Sequence, residues 1–503
     1  MLTALEFCAE KGNSLKSRAQ HSRVELGNQI WVGWVAFATI ALTATGSDPD
    51  LWGHVRFGMD WWKTRSLPTT DPYSFTQDRP WINHEWLSEA LMGAAFMLGG
   101  ALGLILLKIA VVGIALFVLS RRLHRATPLV VTAALSLVII LVTPISLTIR
   151  PHLWSVLGLV LLLALIDREE PPDLSRTAAG ATLFALWANL HGGWITGAAV
   201  LAVYLITRVL RERRHVKPWI AFAAASAAGT LVNPYGLGLW RFLATTVRGS
   251  RPDIGEWAPL SLQSPMIHWV TLATVGVVAV ALGRRAEARP KAEVWAVLLL
   301  LFAGAVRVGR VIPLVAPAAL VLLAPYISLA WGQRGRLTVG RSAAANVFWI
   351  PAIVALGAAV APATRALACI PLRGEWIPDL RTAPYLHGAS GRLLTTFDWG
   401  EYAIWHFGPR LKVSIDGRRE TVYSDSVVEW HRAFERGEPD AQLVVAKLAP
   451  DYVWLRSSRV AAKNWLLANG YRIDAESDAA FVAVRHDRDR LTSSLEPRRA
   501  CFP

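Results

Sequence analysis

Two carboxylates flank a proline in the segment Ser47-Asp48-Pro49-Asp50-Leu51-Trp52-Gly53-His54. Asp50 and His54 are four residues apart, so on a helix they share a face. A carboxylate in that position can act as a general base toward a hydroxyl or an amine. With His54 it can also hold a divalent cation. The competing role is structural, an Asp N-cap opening a helix, and Asp48 before Pro49 fits it. Further on, Asp71-Pro72 reads as a turn. His84-Glu85 is a candidate acid/base or metal pair, or a cap ahead of a helix at Trp86. It lacks the second His of a zinc-protease motif.

Arginines and helix breakers supply a second set. Arg150-Pro151-His152 lies between two apolar runs, and Arg307 and Arg310 flank a later turn. The guanidinium fork suits phosphate or carboxylate, whereas an Arg at a helix end can also simply snorkel to the membrane interface. Asn189-Leu190-His191-Gly192-Gly193 and Asn233-Pro234-Tyr235-Gly236 interrupt helices, and His191 reads as a cavity residue or as a helix-end histidine. Ile415-Asp416-Gly417-Arg418-Arg419 reads as a strand-ending turn with an Asp–Arg pair. The candidates for substrate contact are Arg150, His152, His191, Arg307, Arg310, His84 and Glu85. No GxxxxGK[ST] and no strand-borne GxGxxG occurs, which argues against an ATP-driven pump and a nucleotide-binding Rossmann enzyme.

The elements that must position these residues are membrane helices. The chain has 503 residues, 53% hydrophobic and only 18% charged, against roughly 25% charged in ordinary soluble domains. Its net charge of +15 does not point to nucleic acid, because Lys and Arg sit in short loops between apolar runs. The 23 Trp suit a protein with two membrane interfaces. Apolar runs near 30–46, 101–120, 127–148, 152–166, 177–190, 192–207, 218–232, 267–283, 292–306, 311–328 and 343–361 give about eleven spans. The tract 86–120 is too long for one span and contains Gly99-Gly100, so 86–98 is expected to lie in the interface or re-enter. With a cytoplasmic tail at 1–29, basic loops at 121–125, 208–217, 284–291 and 334–341 then fall inside. The acidic, His and Arg clusters gather on the outer face, around a large loop at 47–100. Ionisable groups near a bilayer usually mark function. Residues 363–503 change to mixed charge and alternating patterns, an outer soluble α/β domain after a membrane domain at 30–362. Strands are expected at 410–415, 451–456 and 481–485, and helices at 426–435 and 440–448. The three cysteines lie far apart with no zinc-site spacing.

A first span, a long outer loop opening on an acidic pair, a partly inserted helix, many spans and an outer C-terminal domain resemble the GT-C glycosyltransferase superfamily. The segments Asp48-Pro49-Asp50-Leu51-Trp52-Gly53-His54, Thr70-Asp71-Pro72-Tyr73-Ser74-Phe75, Trp81-Ile82-Asn83-His84-Glu85-Trp86-Leu87, Trp187-Ala188-Asn189-Leu190-His191-Gly192, Asn233-Pro234-Tyr235-Gly236 and Ile415-Asp416-Gly417-Arg418 also resemble bacterial membrane proteins grouped with that class. The resemblance covers most of the chain. It implies a multi-pass protein of a bacterial inner membrane, N-terminus cytoplasmic and C-terminal domain periplasmic. It implies transfer of a sugar, with inversion, from a polyprenyl-phosphate donor to an acceptor. Asp50 or Asp48 would be the base, and Arg150, Arg307 or Arg310 would hold the lipid phosphate. A divalent cation at Asp50 and His54 is an open expectation, and no nucleotide cofactor is implied. A proline separates the two acids, so which one matches the superfamily's base stays open. A non-catalytic assembly protein on the same frame is the alternative, and a transporter or flippase fits less well.

Overall fold

The structure is a computed structural model and describes residues 45–126, 148–248, 255–332, 367, 369–493 and 501–503. The expected spans near 30–46, 127–148 and 343–361, the N-terminal tail and the basic loop at 334–341 fall wholly or almost wholly outside these residues. After a short amphipathic helix, α1 (Leu51–Thr64), come α2 (Trp86–Ala126), α3 (Leu153–Ile166), α4 (Leu174–Leu190), α5 (Trp194–Arg211), α6 (Val216–Gly229), α7 (Leu237–Arg248), α8 (Met266–Gly283), α9 (Ala292–Arg307) and α10 (Ile312–Gly332). Among the described residues, four helical stretches are long and apolar enough to cross a membrane: Trp86–Leu123, Trp194–Arg211, Met266–Gly283 and Gly309–Ala330. The other expected runs that lie within the described residues appear as shorter helices at the anticipated places. The protein is a multi-pass helical membrane protein.

Helix α2 is broken where the sequence placed its division. Gly99 and Gly100 have φ/ψ of −149°/16° and 57°/−139°, and the second of these conformations is one that glycine adopts without a Cβ penalty. The two sets of loops also separate as expected. Helix α5 has 18 residues and so is about 27 Å long. At its far end Arg208 donates to the carbonyls of Arg168 and Glu169, each at 2.7 Å, and Arg211 Nη2 pairs with Glu293 at 2.8 Å. Arg122–Asp167 and Lys291–Glu169 join the same basic end. His191 and the acidic clusters lie at the other end.

The C-terminal region contains β1 (Ile370–Pro371), β2 (Gly391–Thr395), α11 (Gly400–Phe407), β3 (Leu411–Val413), α12 (Asp425–Arg436), α13 (Pro439–Leu448), β4 (Tyr452–Arg456), α14 (Val460–Ala468), β5 (Tyr471–Glu476), β6 (Ala480–Arg485) and β7 (Cys501–Phe502). Five strands form one mixed sheet in the order β3-β2-β4-β6-β5, with β2 parallel to β3 and β4, and β6 antiparallel to β4 and β5. The three strands and two helices expected from pattern are all present, shifted by a residue or two. Strand β7 pairs antiparallel with β1, and the Cys369–Cys501 disulfide fastens them across 132 residues. That bond was not legible in the cysteine spacing.

The first loop and the C-terminal region share one hydrophobic core. Leu51, Trp52, Val55 and Phe57 of α1 pack with Trp399, Tyr402, Val413 and Phe502, and the Trp52 ring meets Trp376, Tyr402 and Phe502 at 5.7, 5.2 and 5.7 Å. Arg418 locks the two together. Its guanidinium bonds both oxygens of Asp71 (2.6 and 2.8 Å) and both of Asp416 (2.8 and 2.7 Å). It lies against the rings of Trp81, Phe57 and Tyr73 at 4.8, 4.9 and 5.3 Å. Asp71 keeps its expected turn role as well, accepting from the N–H groups of Tyr73 and Ser74.

The Asp71 and Asp416 side chains have no exposed surface, and removing one member of a buried ion cluster leaves uncompensated charge at a cost of about 3–5 kcal/mol. Arg418→Leu is therefore expected to lower stability by that amount in SDS-titration unfolding of the detergent-purified protein. A loss below about 1 kcal/mol, the range of exposed pairs, would show that the lock does not hold the domain. In a Cys8→Ser background, Cys369 and Cys501 should take up maleimide in the denatured chain only after reduction.

Candidate functional site

Arg150 is the centre of the polar cluster. Its Nε lies 3.2 Å from Asp48 Oδ2, its Nη2 2.5 Å from Asp50 Oδ2 and its Nη1 2.8 Å from Glu256 Oε1. Asp48 and Asp50 come from the turn ahead of α1, Arg150 from the turn ahead of α3, and Glu256 from the loop between α7 and α8. Local geometry fixes the acidic pair: the Asp50 N–H donates to Asp48 Oδ1 at 2.9 Å. Asp48 thus closes a turn ahead of the helix instead of capping it, since the N-cap position is Asp50, and it is a member of the cluster as well. Burial raises its carboxyl to about 6, against the opposing pull of Arg150.

His54 turns toward a residue that spacing did not indicate. Its Nδ1 lies 3.1 Å from Glu89 Oε1 in α2, and Glu89 Oε2 accepts from Asn83 Nδ2 at 2.5 Å. Burial disfavours the charged ring, but the Glu89 hydrogen bond and the charges of Glu89, Glu85 and Asp50 outweigh it and raise His54 to about 9. The expected cation at Asp50 and His54 does not fit this arrangement. An imidazolium cannot ligate a metal, Asp50 Oδ2 is held by Arg150, and among the described residues no group of three or more His, Cys, Asp or Glu is arranged to hold one.

His84, Glu85 and His191 do come together. Glu85 Oε1 lies 3.4 Å from His84 Nε2 and 3.5 Å from His191 Nε2. On its other side, His191 Nδ1 accepts the Ser155 hydroxyl at 2.6 Å and the Gly193 N–H at 3.1 Å. Trp187 Nε1 donates to the same Ser155 oxygen at 3.0 Å. Burial holds His191 neutral, well below the usual histidine value. Burial opposes ionisation of Glu85 too, but the flanking His84, by charge and hydrogen bond, and the charge of His54 hold it well below the carboxylate range. Asn189 and Tyr235 of the two helix-breaking motifs tie this network to the first loop: Trp86 Nε1 donates to Asn189 Oδ1 at 2.7 Å, and the Asn83 N–H donates to Tyr235 Oη at 2.9 Å.

Arg310 lies over the Trp257 ring at 5.5 Å and within electrostatic reach of Glu256 and His191, as does His152. Arg307, at the last turn of α9, is exposed and outside the cluster, which fits snorkelling. Glu401 of α11 is the residue that sequence reasoning missed. It is buried, and its Oε2 accepts the Gly53 N–H at 3.1 Å beside Asp50. A lone Glu after Trp399-Gly400 carries no motif. Only its burial against α1 marks it.

The His54–Glu89 pair makes a pH prediction. A ring whose value rises from 6.5 to about 9 on folding contributes stability that is whole below 6.5 and is lost as pH rises through 9. The size is about 3 kcal/mol, at 1.36 kcal/mol for each pKa unit. Stability of the wild type should fall across that window, and His54→Gln should flatten the profile. Parallel wild-type and variant curves would refute the pairing.

No family model and no curated protein sequence matches the chain. Among solved structures it is similar to the Archaeoglobus fulgidus oligosaccharyltransferase in the apo form, with TM-score 0.57 and 12% identity over 86% of this chain and 71% of that one. It is similar to ArnT from Cupriavidus metallidurans bound to undecaprenyl phosphate, with TM-score 0.52 and 12% identity over 92% and 98%. The arabinofuranosyltransferase AftD from mycobacteria gives TM-score 0.52 and 15% identity over 92% of this chain but 40% of that one. At such identities the likeness is one of fold. The membrane bundle, the loop roofing its polar end and the C-terminal α/β domain make this a protein of the GT-C fold.

Proposed function

We propose that the protein transfers a glycosyl group, with inversion, from a polyprenyl-phosphate-linked donor to an acceptor at the outer face of a bacterial inner membrane. The observation that carries this reading is the convergence of Asp48, Asp50 and Arg150, with Arg310 nearby, at one end of a GT-C membrane bundle under its C-terminal domain. The bundle offers a place for the polyprenyl chain, and the polar end a place for sugar and phosphate. ArnT, of the same fold, was solved with undecaprenyl phosphate bound. The disulfide between Cys369 and Cys501 supports the outer side for the C-terminal domain, since such bonds persist outside the reducing cytosol.

The roles follow from who is already engaged. Arg150 is committed to three carboxylates, and so it holds the acidic pair in place. It also leaves Asp50 Oδ1 as the oxygen able to take the acceptor's proton. Arg310 forms no ion pair among the described residues and keeps its charge for a ligand, so it holds the lipid phosphate and stabilises the charge that grows there as the sugar leaves. Glu256, with a half-exposed side chain, is the carboxylate of the cluster best able to yield to an incoming phosphate. The Glu85–His191–Ser155 network fixes the wall behind it. No step is assigned to a metal ion.

Three tests bear on this reading. A reporter active only outside the cytoplasm should be active when fused after Pro503 and inactive in the 211–217 loop; the reverse pattern would put the site on the wrong side. Asp50→Asn should reduce transfer of radiolabelled sugar from polyprenyl phosphate by roughly 10²–10⁴-fold at normal membrane abundance, because the Asp50 side chain makes no capping bond to its helix and Asn keeps its size. Asp48→Asn should cost less. Full transfer by both variants would remove the base from this loop. Arg310→Lys keeps the charge but loses the fork, so donor affinity should drop, while Arg307→Lys should bind donor normally. Equal effects of the two would return Arg310 to an anchoring role.

A further inference from the structure

Glu256 differs from the other carboxylates around Arg150. Its side chain is 53% exposed, against 12% for Asp48 and 21% for Asp50. Among the described residues its carboxylate has one hydrogen bond, the 2.8 Å contact with Arg150 Nη1. Its backbone is nevertheless held. The turn Gly255–Trp257 lies against the turn Gly309–Val311: the Gly309 N–H donates to Ala258 O at 3.2 Å, and the Leu260 N–H donates to Val306 O at 2.9 Å. The Trp257 ring backs the Arg310 guanidinium at 5.5 Å. A rotation of the Glu256 side chain alone therefore uncovers Arg150 Nη1, and that side chain already faces solvent, so a ligand has a path to the place it would vacate.

With no ligand bound, Arg150 needs this contact. A part-buried guanidinium whose third arm met nothing would carry uncompensated charge, and Glu256 supplies the anion. A phosphate oxygen suits the same N–H equally well. The charges of Arg150, Arg310 and His152 all act on Glu256, so an anion in its place would face the same three groups.

The charge balance of glycosyl transfer gives this exchange a purpose. The donor is a phosphodiester with one negative charge. In the step, the acceptor's bond to hydrogen breaks and the proton passes to Asp50. The acceptor atom bonds to the anomeric carbon, and the bond from that carbon to the phosphate oxygen breaks, its electron pair remaining on the lipid phosphate. The lipid phosphate is now a monoester whose second ionisation lies at about 6, so it holds nearly two charges at neutral pH, while Asp50 holds none. Arg150 is thus released from Asp50 and faces a more anionic ligand than the one that arrived. With the same lipid chain on both, the arginines hold the product more tightly than the donor, and release of product becomes the slow step.

We propose that Glu256 is a product-release residue, an internal anion that yields Arg150 Nη1 to the donor phosphate and reclaims it to expel the lipid phosphate. The proposal rests on the glycosyl-transfer reading above. A carboxylate tethered on a fixed turn returns at an effective concentration on the order of millimolar, and it takes no part in the proton transfer.

The test uses the full-length protein in nanodiscs, with undecaprenyl phosphate as the probe. Glu256→Gln keeps the size and removes the competing charge. Its Kd for undecaprenyl phosphate should fall roughly tenfold, the worth of one half-exposed charge-assisted bond; a merely structural role predicts weaker binding instead. With radiolabelled polyprenyl-phosphate sugars in membranes, donor KM and kcat of the variant should both fall, and a burst of about one transfer per enzyme molecule should precede the slow steady rate. Wild type should show no burst. Glu256→Asp, one methylene shorter, should shift each quantity the same way by less, and it carries the test alone if Glu256→Gln fails to fold. An unchanged or higher Kd, or a lower Kd without a burst, would overturn the proposal. A wild type that transfers from no polyprenyl-phosphate donor sinks the glycosyl-transfer reading, whereas the ratio of Kd values still reports whether Glu256 and a phosphate compete for Arg150.

Discussion

Arg418 holds the molecule's two unlike halves in one frame. A guanidinium with less than a tenth of its surface exposed is stable only when its charge and its five N–H groups are satisfied. Asp416, two residues before it, and Asp71, 347 residues away, supply the carboxylates, while three aromatic rings of the first loop enclose the remaining surface. The demand of one buried charge thereby fixes the C-terminal sheet against the loop that leaves the first expected span. Other contacts follow the same seam. Ser74 bridges to Val413, the Ser424 N–H and hydroxyl bond Asp78, and Phe502 inserts beside Trp52.

That seam makes the polar site composite. Asp48 and Asp50 belong to the loop, Arg150 and His191 to turns between membrane helices, and Glu401 and Gly417 to the C-terminal domain. If the domain moved by a few ångströms, Glu401 would lose the Gly53 N–H and Gly417 would no longer pack against Asp50. The helical bundle contributes the rest of the precision. The close approach of α1 and α2 allows no side chain at Gly58 or Gly93, where a Cβ would overlap the opposing backbone, and it brings Glu89 within reach of His54.

Electrostatics then sorts neighbours of similar chemistry into different states. The carboxyls of Asp48, Glu85 and Glu401 are all buried, yet they differ in what faces them. Asp48 has Arg150 against strong desolvation and sits near 6. Glu85 has His84 and His54 against it and stays ionised. Glu401, buried and facing mainly carboxylates, is pushed well above its usual range. The histidines divide likewise: His54 on Glu89 is charged, whereas His191, accepting the Ser155 hydroxyl and the Gly193 N–H, is neutral. Such opposed states within one pocket are the usual basis for separating a base from hydrogen-bond donors.

Much of this organisation was written in the sequence. Apolar length and the placing of Arg and Lys determined a multi-pass bundle whose basic and acidic loops sit at opposite ends. Gly99-Gly100 marked the break in α2, and alternation in 410–456 marked strands and helices of the α/β domain. The residue types of the site were legible too, because Asp48, Asp50, Arg150, His191 and Arg310 all stand beside helix breaks, where a polar side chain in a membrane protein needs a reason. Their partners were not. Glu89 lies 35 residues from His54, Asp71 lies 347 from Arg418, and Cys369 lies 132 from Cys501. Glu401 looked like any surface glutamate until the fold buried it. Composition and periodicity report the average surroundings of a residue, such as lipid, water or core. Which buried charge meets which, and hence which groups are ionised, depends on contacts between segments far apart in the chain, and only the tertiary structure could decide them.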